Sequence, residues 1–240
     1  MFNFKKTFFY IATFVFANGI VLYLSIGRTE QEDQVIVTAA TLGTAGIGLA
    51  NACQTLSAPA LGLGLVGSYF LADLASGILH MTLDNIDVDT APKPMKELAE
   101  DFQAHHQEPW RMVHDSFWFQ NRSLYSVLLC ALSGAVGLQA LGYDMPAYLA
   151  ITTGLWSMMP QIAHSAAHGK YKGNKVVSFL QDYGIIISRE HHRGHHKGDF
   201  DKNFCILAGY MEPVASRIYS GSKFVINGWK KLWGRKSKDA

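Results

Sequence analysis

Five long apolar runs constrain this chain more than anything else in it: Phe8–Ile26, Val35–Cys53, Ala58–Leu79, Leu124–Leu141 and Met145–Ala163. The hydrocarbon core of a bilayer takes about 20 predominantly apolar helical residues to cross. The runs therefore predict an all-α integral membrane protein with about four to five transmembrane helices. Charge agrees, since only 17% of the residues are charged, against about 25% in soluble domains. A polar stretch, Met81–Ser123, separates the third run from the fourth, and a basic tail follows the fifth. The 240 residues read as one membrane domain, with amino-terminal membrane segments over 1–57 and a basic amphipathic tail over 216–240. The first run follows Lys5 and Lys6, yet no small-x-small site closes it and further runs follow. That makes it a retained anchor rather than a signal peptide.

Several function classes fall away. A net charge of +2 gives no reason to expect a nucleic-acid partner. Cys53, Cys130 and Cys205 lie far apart without a C-x-x-C pair, which argues against a disulfide framework or thiolate zinc site and for small buried hydrophobes. Gly62-Leu63-Gly64-Leu65-Val66-Gly67 has the spacing of a dinucleotide loop but lies inside an apolar run, without the strand–turn–helix setting such a loop requires. Close helix packing through small residues explains it better.

The ten histidines all sit outside the apolar runs or at their ends. His80 ends the third run; His105, His106 and His114 lie in the polar stretch; His164 ends the fifth, and His168, His191, His192, His195 and His196 follow. Runs four and five form a hairpin that leaves and regains one side, so every histidine faces the same side. That side also holds most of the positive charge: four Lys/Arg in Met81–Ser123 and fourteen from His164 onward, against none in Gly142–Asp144. The positive-inside bias makes it cytoplasmic. Five full spans would then put Lys5 and Lys6 outside, so either the amino terminus is external or one of the first two runs does not cross.

The strongest local signal is Glu190-His191-His192-Arg193-Gly194-His195-His196. Helical residues three or four apart share a face, which lets His192, His195 and His196 converge. His164 and His168 form a second i, i+4 pair, suited to chelation, with Pro160 one turn earlier as a source of a kink. His105 and His106 follow Asp101 by one turn and add two imidazoles. Asp73 lies two turns before His80 within an apolar run, where a carboxylate is costly and usually functional; it is placed to orient a ligand histidine. Asp84 and Asp87 lie past the run and read as ordinary polar residues. His114 stands among Trp110, Phe117, Trp118 and Phe119 and fits a headgroup-level aromatic belt better than a ligand.

No H-E-x-x-H motif is present, which removes the usual zinc-protease arrangement. The Glu-x-x-His repeats of soluble di-iron bundles are also missing. Imidazole suits Zn, Cu, Fe and Ni alike, so spacing does not name the metal. Eight or more imidazoles are too many for one ion and suit two. A metal transporter, a membrane hydroxylase and a zinc-dependent lipid hydrolase stand as rival readings, although ligands gathered at one membrane edge differ from the midplane sites of transporters.

These residues resemble the Kua-type lipid desaturases, which include plasmanylethanolamine desaturases and plant desaturases acting on the palmitate of phosphatidylglycerol. The resemblance runs from about residue 65 to 215. It rests on Ala72-Asp73-Leu74-Ala75-Ser76-Gly77-Ile78-Leu79-His80, Phe102-Gln103-Ala104-His105-His106, Gln161 through Gly169, Leu180-Gln181-Asp182-Tyr183-Gly184 and Ser188 through His196. It implies a ligand set of His80, His105, His106, His164, His168, His192, His195 and His196, with His191, His114 and Asp73 ranked below. Met81 stands where the family usually has tryptophan, which touches the acyl pocket rather than the metal. Pro109-Trp110 and the Gln181–Gly184 stretch are similar to the plant branch.

The resemblance further implies an oxygen-dependent lipid desaturase with two iron ions as cofactor and O2 as co-substrate. Electrons would come from an external cytochrome b5-like or ferredoxin-like donor, and the substrate would be a bilayer phospholipid. Removing hydrogen from an unactivated methylene is work for a bound metal rather than for side chains. Trp156, Met158 and Met159 read as packing or lipid-facing residues before channel-lining ones. Arg189 and Arg193 suit a lipid phosphate as well as the charge bias. The basic tail suits an anionic surface or an electron donor.

Overall fold

A computed structural model describes residues 30–89, 91, 93–114, 128, 131–197 and 200–233. The first apolar run, Phe8–Ile26, lies outside the described residues, as do Phe117, Trp118 and Phe119, the beginning of the fourth run with Cys130, and the end of the tail. Among the described residues every regular element is a helix. In order they are α1 (Glu30–Thr55), α2 (Ala58–Asn85), α3 (Lys93–Gln107), α4 (Arg111–His114) and α5 (Ala131–Ala140). Then come α6 (Asp144–Trp156), α7 (Met159–Ala167), α8 (Lys175–Asp182), α9 (Arg189–His195) and α10 (Glu212–Trp233).

Polar residues start and stop these helices as capping chemistry requires. Ser57 accepts the Ala60 amide at 3.4 Å ahead of α2. Asn174 accepts the Val176 and Val177 amides at 3.0 and 3.1 Å ahead of α8. Ser188 accepts the His191 amide at 3.1 Å ahead of α9. At the other end of α2, Gln103 donates to the carbonyls of Leu83 and Ile86, at 2.8 and 3.0 Å.

Among the described residues α2 alone is long and apolar enough to cross a membrane; its 28 residues span about 42 Å at 1.5 Å per residue. Leu63, Leu65, Val66, Phe70 and Leu71 point outward from it. The helix outruns the third apolar run by six residues, carrying His80 and Asp84 on its last turns. The fifth run, expected as one span, is instead two helices, α6 and α7. The Ser157 and Met158 amides close onto Thr153 and Leu155, and Pro160 enters the first turn of α7, where its missing N–H costs nothing. The expected kink is therefore a complete break, and neither piece reaches the length of a span by itself.

The chain divides into two compact units, one of 1–72 with 114–162 and one of 73–113 with 163–240. In the first, α1 packs on α6 around Ala45, Leu132, Ala135, Ala147 and Ile151. Gln139 donates to the Gly48 carbonyl at 2.9 Å, and the Tyr148 hydroxyl donates to the Leu61 carbonyl at 3.0 Å. A Cβ on Gly64 would come within 2.7 Å of the Tyr148 ring, so this glycine of the G-x-G-x-x-G run serves helix packing. Gly62 and Gly67 face open space. Cys53 is exposed, contrary to the expectation of a buried hydrophobe. It borders an apolar cavity of about 530 Å3 with Leu61, Leu65, Tyr148, Trp156 and Met159.

The second unit is built around the last turns of α2. Leu83 packs with Ala99 and Phe102 of α3, and the same α3 face continues one turn later as His105 and His106. Ala163 and Ala166 of α7 pack on Ile186 and Ile187. Between α9 and α10 the segment 202–211 passes as an irregular strap, joined to the rest by the 2.7 Å bond from the Ile187 amide to the Leu207 carbonyl. Cys205 on this strap is buried as expected; burial and then the carboxylates of Asp73 and Glu212 push its thiol up, so it is an unreactive packing residue.

Candidate metal centre

Four helices of the second unit deliver imidazoles to one place. The two groups that result hold nine donor residues: His105, His164, His168, His192 and His196 in one, and His80, Asp84, His106 and His195 in the other. Within each group the donor atoms all lie within 4.8 Å of one another. All eight histidines expected as ligands are therefore brought together, and neighbours on α3, His105 and His106, serve different groups. Asp73, His114 and His191 lie outside both groups. The donor residue that sequence reasoning missed is Asp84, read there as an ordinary polar residue past the apolar run. Its signal was its i+4 spacing from His80, which puts both on one helix face.

In the group containing Asp84, hydrogen bonds fix which ring nitrogen is free. His80 Nδ1 lies 3.0 Å from the Phe204 carbonyl oxygen, and His195 Nδ1 lies 2.7 Å from that of Lys202. A carbonyl only accepts, so each Nδ1 carries the hydrogen and each Nε2 keeps its lone pair. Those lone pairs converge on the carboxylate. His80 Nε2 and His195 Nε2 both lie 3.3 Å from Asp84 Oδ2, and His106 Nε2 lies 3.4 Å from Oδ1. Despite these approaches, His80 Nε2 and both Asp84 oxygens are buried without a hydrogen-bond partner. Buried acceptors facing one another repel unless a positive charge lies among them. A metal ion bound there would supply that charge.

The five-histidine group is arranged alike. His192 Nε2 lies 2.9 Å from His168 Nε2 and 3.0 Å from His196 Nε2, and His168 Nε2 lies 3.2 Å from His164 Nε2. His105 Nδ1 is bonded to the Phe102 carbonyl, and its buried Nε2 has no partner. Donor atoms about 2.0–2.1 Å from a first-row metal ion stand about 2.8–3.4 Å apart as neighbours in octahedral or tetrahedral arrangements. The observed separations fall in that range, so the residues present fit a pair of such ions.

Electrostatics favour the same chemistry. Burial, reinforced by neighbouring imidazoles, lowers His106 to about 3 and His168 and His196 to about 4. His105 and His192 are lowered well below the usual value for the same reasons. These rings are neutral at pH 7, the form that binds a metal without first losing a proton. Phe200 stacks on His106 with ring centroids 4.1 Å apart, and buried Phe204 packs edge-on to His195; both limit water at the Asp84 group.

Residues 69–226 match the model of the lipid desaturase domain. The chain belongs to the lipid desaturase family. It is 32% identical over 162 residues to fatty acid desaturase 4, chloroplastic, of Arabidopsis thaliana, covering 65% of this chain and 49% of that protein. It is 27% identical over 182 residues to plasmanylethanolamine desaturase 1 of Mus musculus, covering 72% and 64%. With plasmanylethanolamine desaturase of Myxococcus xanthus it shares 26% over 153 residues, covering 63% and 54%. The chain spans about half the length of most of these curated relatives. No solved structure matches it. The lipid desaturase match begins just before Asp73 and ends within α10, so it takes in every residue of both donor groups.

Proposed function

We propose that this chain is a multi-pass membrane desaturase that uses two iron ions and O2 to place a double bond in an alkyl or acyl chain of a phospholipid. The observation that carries the reading is the convergence of nine buried or half-buried donor residues into two groups within a lipid desaturase domain. Iron is favoured by the family, since imidazole with one carboxylate also accepts other first-row metals.

Two bound irons would supply the oxidising power: a –CH2–CH2– unit loses two hydrogens, O2 is reduced to two waters, and an outside donor gives two electrons with two protons. The chain's own residues do the rest. His105, His164, His168, His192 and His196 hold one ion, and His80, Asp84, His106 and His195 hold the other. The Phe204 and Lys202 carbonyls keep His80 and His195 with Nε2 turned inward. Phe200 and Phe204 keep the second group dry, which strengthens its electrostatics. Asp73, His114 and His191 serve other roles in this reading.

The site lies on the cytoplasmic side by the positive-inside bias, with four to five crossings over the apolar runs. The electron donor is a cytochrome b5-like or ferredoxin-like protein. Metal analysis of the purified chain tests the centre: about two irons per chain support it, and zinc alone defeats it. Lipidomics with and without the expressed gene tests the reaction. A new vinyl ether identifies an ether lipid substrate, a new acyl double bond an acyl substrate, and a hydroxylated chain replaces desaturation with hydroxylation.

A further inference from the structure

We propose that Asp73 and Glu212 are positioning residues for the Asp84 metal group, acting on it through the strap 202–211 rather than by contact. The inference rests on the metal reading above and says which of the two ions depends on these carboxylates.

The strap has no helix or strand to absorb its amides, and side chains take that place. Asp73 is fully buried. It accepts the Ala208 and Gly209 amides on Oδ1, at 2.9 and 3.2 Å, and the Met211 amide on Oδ2 at 2.9 Å. One turn along α2, Ser76 Oγ accepts the Ile206 amide at 3.2 Å. From the other side Glu212, 8% exposed, accepts the Asn203 amide at 2.8 Å and the Cys205 amide at 3.0 Å. Six amides of the strap thus end on three side chains, five of them on the two carboxylates. Hydrogen bonds to an ionised acceptor are roughly twice as strong as neutral ones.

The shape so imposed has a use. With the amides drawn toward Asp73, Ser76 and Glu212, two carbonyls two residues apart, Lys202 and Phe204, reach His195 and His80. Asn203 between them is in the left-handed region at φ 58°, which asparagine tolerates better than most residues, and its side chain donates to the His191 carbonyl at 3.0 Å. Gly209 has φ 85°, and a Cβ there would lie 2.9 Å from the His191 ring. The path of the strap is set at both ends, and it fixes the tautomer and aim of two of the four donors in one group. Among the described residues, the five-histidine group takes no hydrogen bond from the strap; its carbonyl anchors are Phe102 for His105 and His106 for His196.

Outer-shell partners of metal ligands change affinity by about 10–100-fold. The test is a titration of the purified, metal-free full chain with Fe(II), in wild type, Asp73→Asn and Glu212→Gln, reading ions per chain and the affinity of each step. Either amide turns an NH2 toward a backbone N–H that the carboxylate accepts. Two tight ions are expected in wild type. In each variant one ion binds as before and the other at least about tenfold more weakly, in a folded chain. Leu132→Ala, which thins the core of the first unit around Ala45 and Ile151, serves as the comparison: it lowers the unfolding midpoint yet keeps both ions. Two ions at wild-type affinity in both variants overturn the inference. So does loss of both ions in step with lower stability. A wild-type chain with no tight metal overturns the metal reading, and this inference with it.

Discussion

His168 and His192 hold their Nε2 atoms 2.9 Å apart, although 24 positions separate them in sequence. One follows the end of α7 and the other sits in the middle of α9. Nothing in the local structure of either helix demands this approach, and each ring is held largely neutral by burial. Two imidazole nitrogens facing at this distance share either one hydrogen or one cation. His164 and His196 direct their own Nε2 atoms to the same place, and a single hydrogen does not serve four rings. A cation does.

Replacing His192 by alanine is therefore expected to remove one ion and leave the chain folded. His192 Nε2 meets both His168 and His196, so it is the hub of its group. Product formation should fall to background while far-ultraviolet circular dichroism stays unchanged. Turnover within a factor of a few of wild type would show that the five-histidine group holds no required metal.

Asp84 offers a sharper test because no imidazole is altered. Asp84→Asn keeps the volume and removes the charge that faces His80, His106 and His195. The expected outcome is loss of one of two irons and of turnover by at least about a hundredfold, the upper range for disturbed metal sites. Glu97→Gln, at an exposed position of α3, should retain both. If Asp84→Asn turns over normally, the carboxylate is a helix-end residue after all.

How much of this was legible beforehand differs by level. The imidazoles of the site were readable because i, i+4 pairs and a dense run declare themselves in sequence, and all eight that the family resemblance implies arrive in the two groups. Their division was not: His105 and His106 are adjacent, and nothing local sends one to His164 and the other to His195. Asp84 hid behind its neighbours at the end of an apolar run, whereas Asp73 drew attention by lying inside one. The structure gives Asp73 to backbone amides more than 130 residues away, a partnership no local pattern reveals. Helical character was equally legible from the apolar runs, but the break at Ser157 was not, since hydropathy averages over it and Pro160 reads as a kink.

Acid should weaken the metal-free fold in a defined window. His106, His168 and His196 have an ordinary value of 6.5 and are lowered in the folded protein to about 3, 4 and 4, by burial above all. Below pH 6.5 the unfolded chain binds protons at these rings that the folded chain refuses, so stability rises with pH through this range. It is complete above pH 6.5 and declines steadily as pH falls toward 4. Thermal unfolding of the metal-free protein at pH 7.5 and pH 5 checks this, with a lower midpoint expected at pH 5. An unchanged midpoint would mean that the rings are not buried as described.

Metal should reverse that weakness, because ions held by the two groups would bind a geometry that exists only when α2, α3, α7 and α9 are assembled. A ligand that binds the folded state alone stabilises it by about 2.7 kcal/mol at a free concentration of a hundred times its dissociation constant. Adding Fe(II) to the metal-free chain at pH 7 is thus expected to raise the unfolding midpoint by several degrees, and a chelator to lower it again. The gain should be halved or less in Asp84→Asn and in His192→Ala, each of which keeps one group intact, and should vanish in the double variant. A midpoint in the wild type that ignores Fe(II) and chelator alike would mean that the converging nitrogens are a packing arrangement and bind no ion.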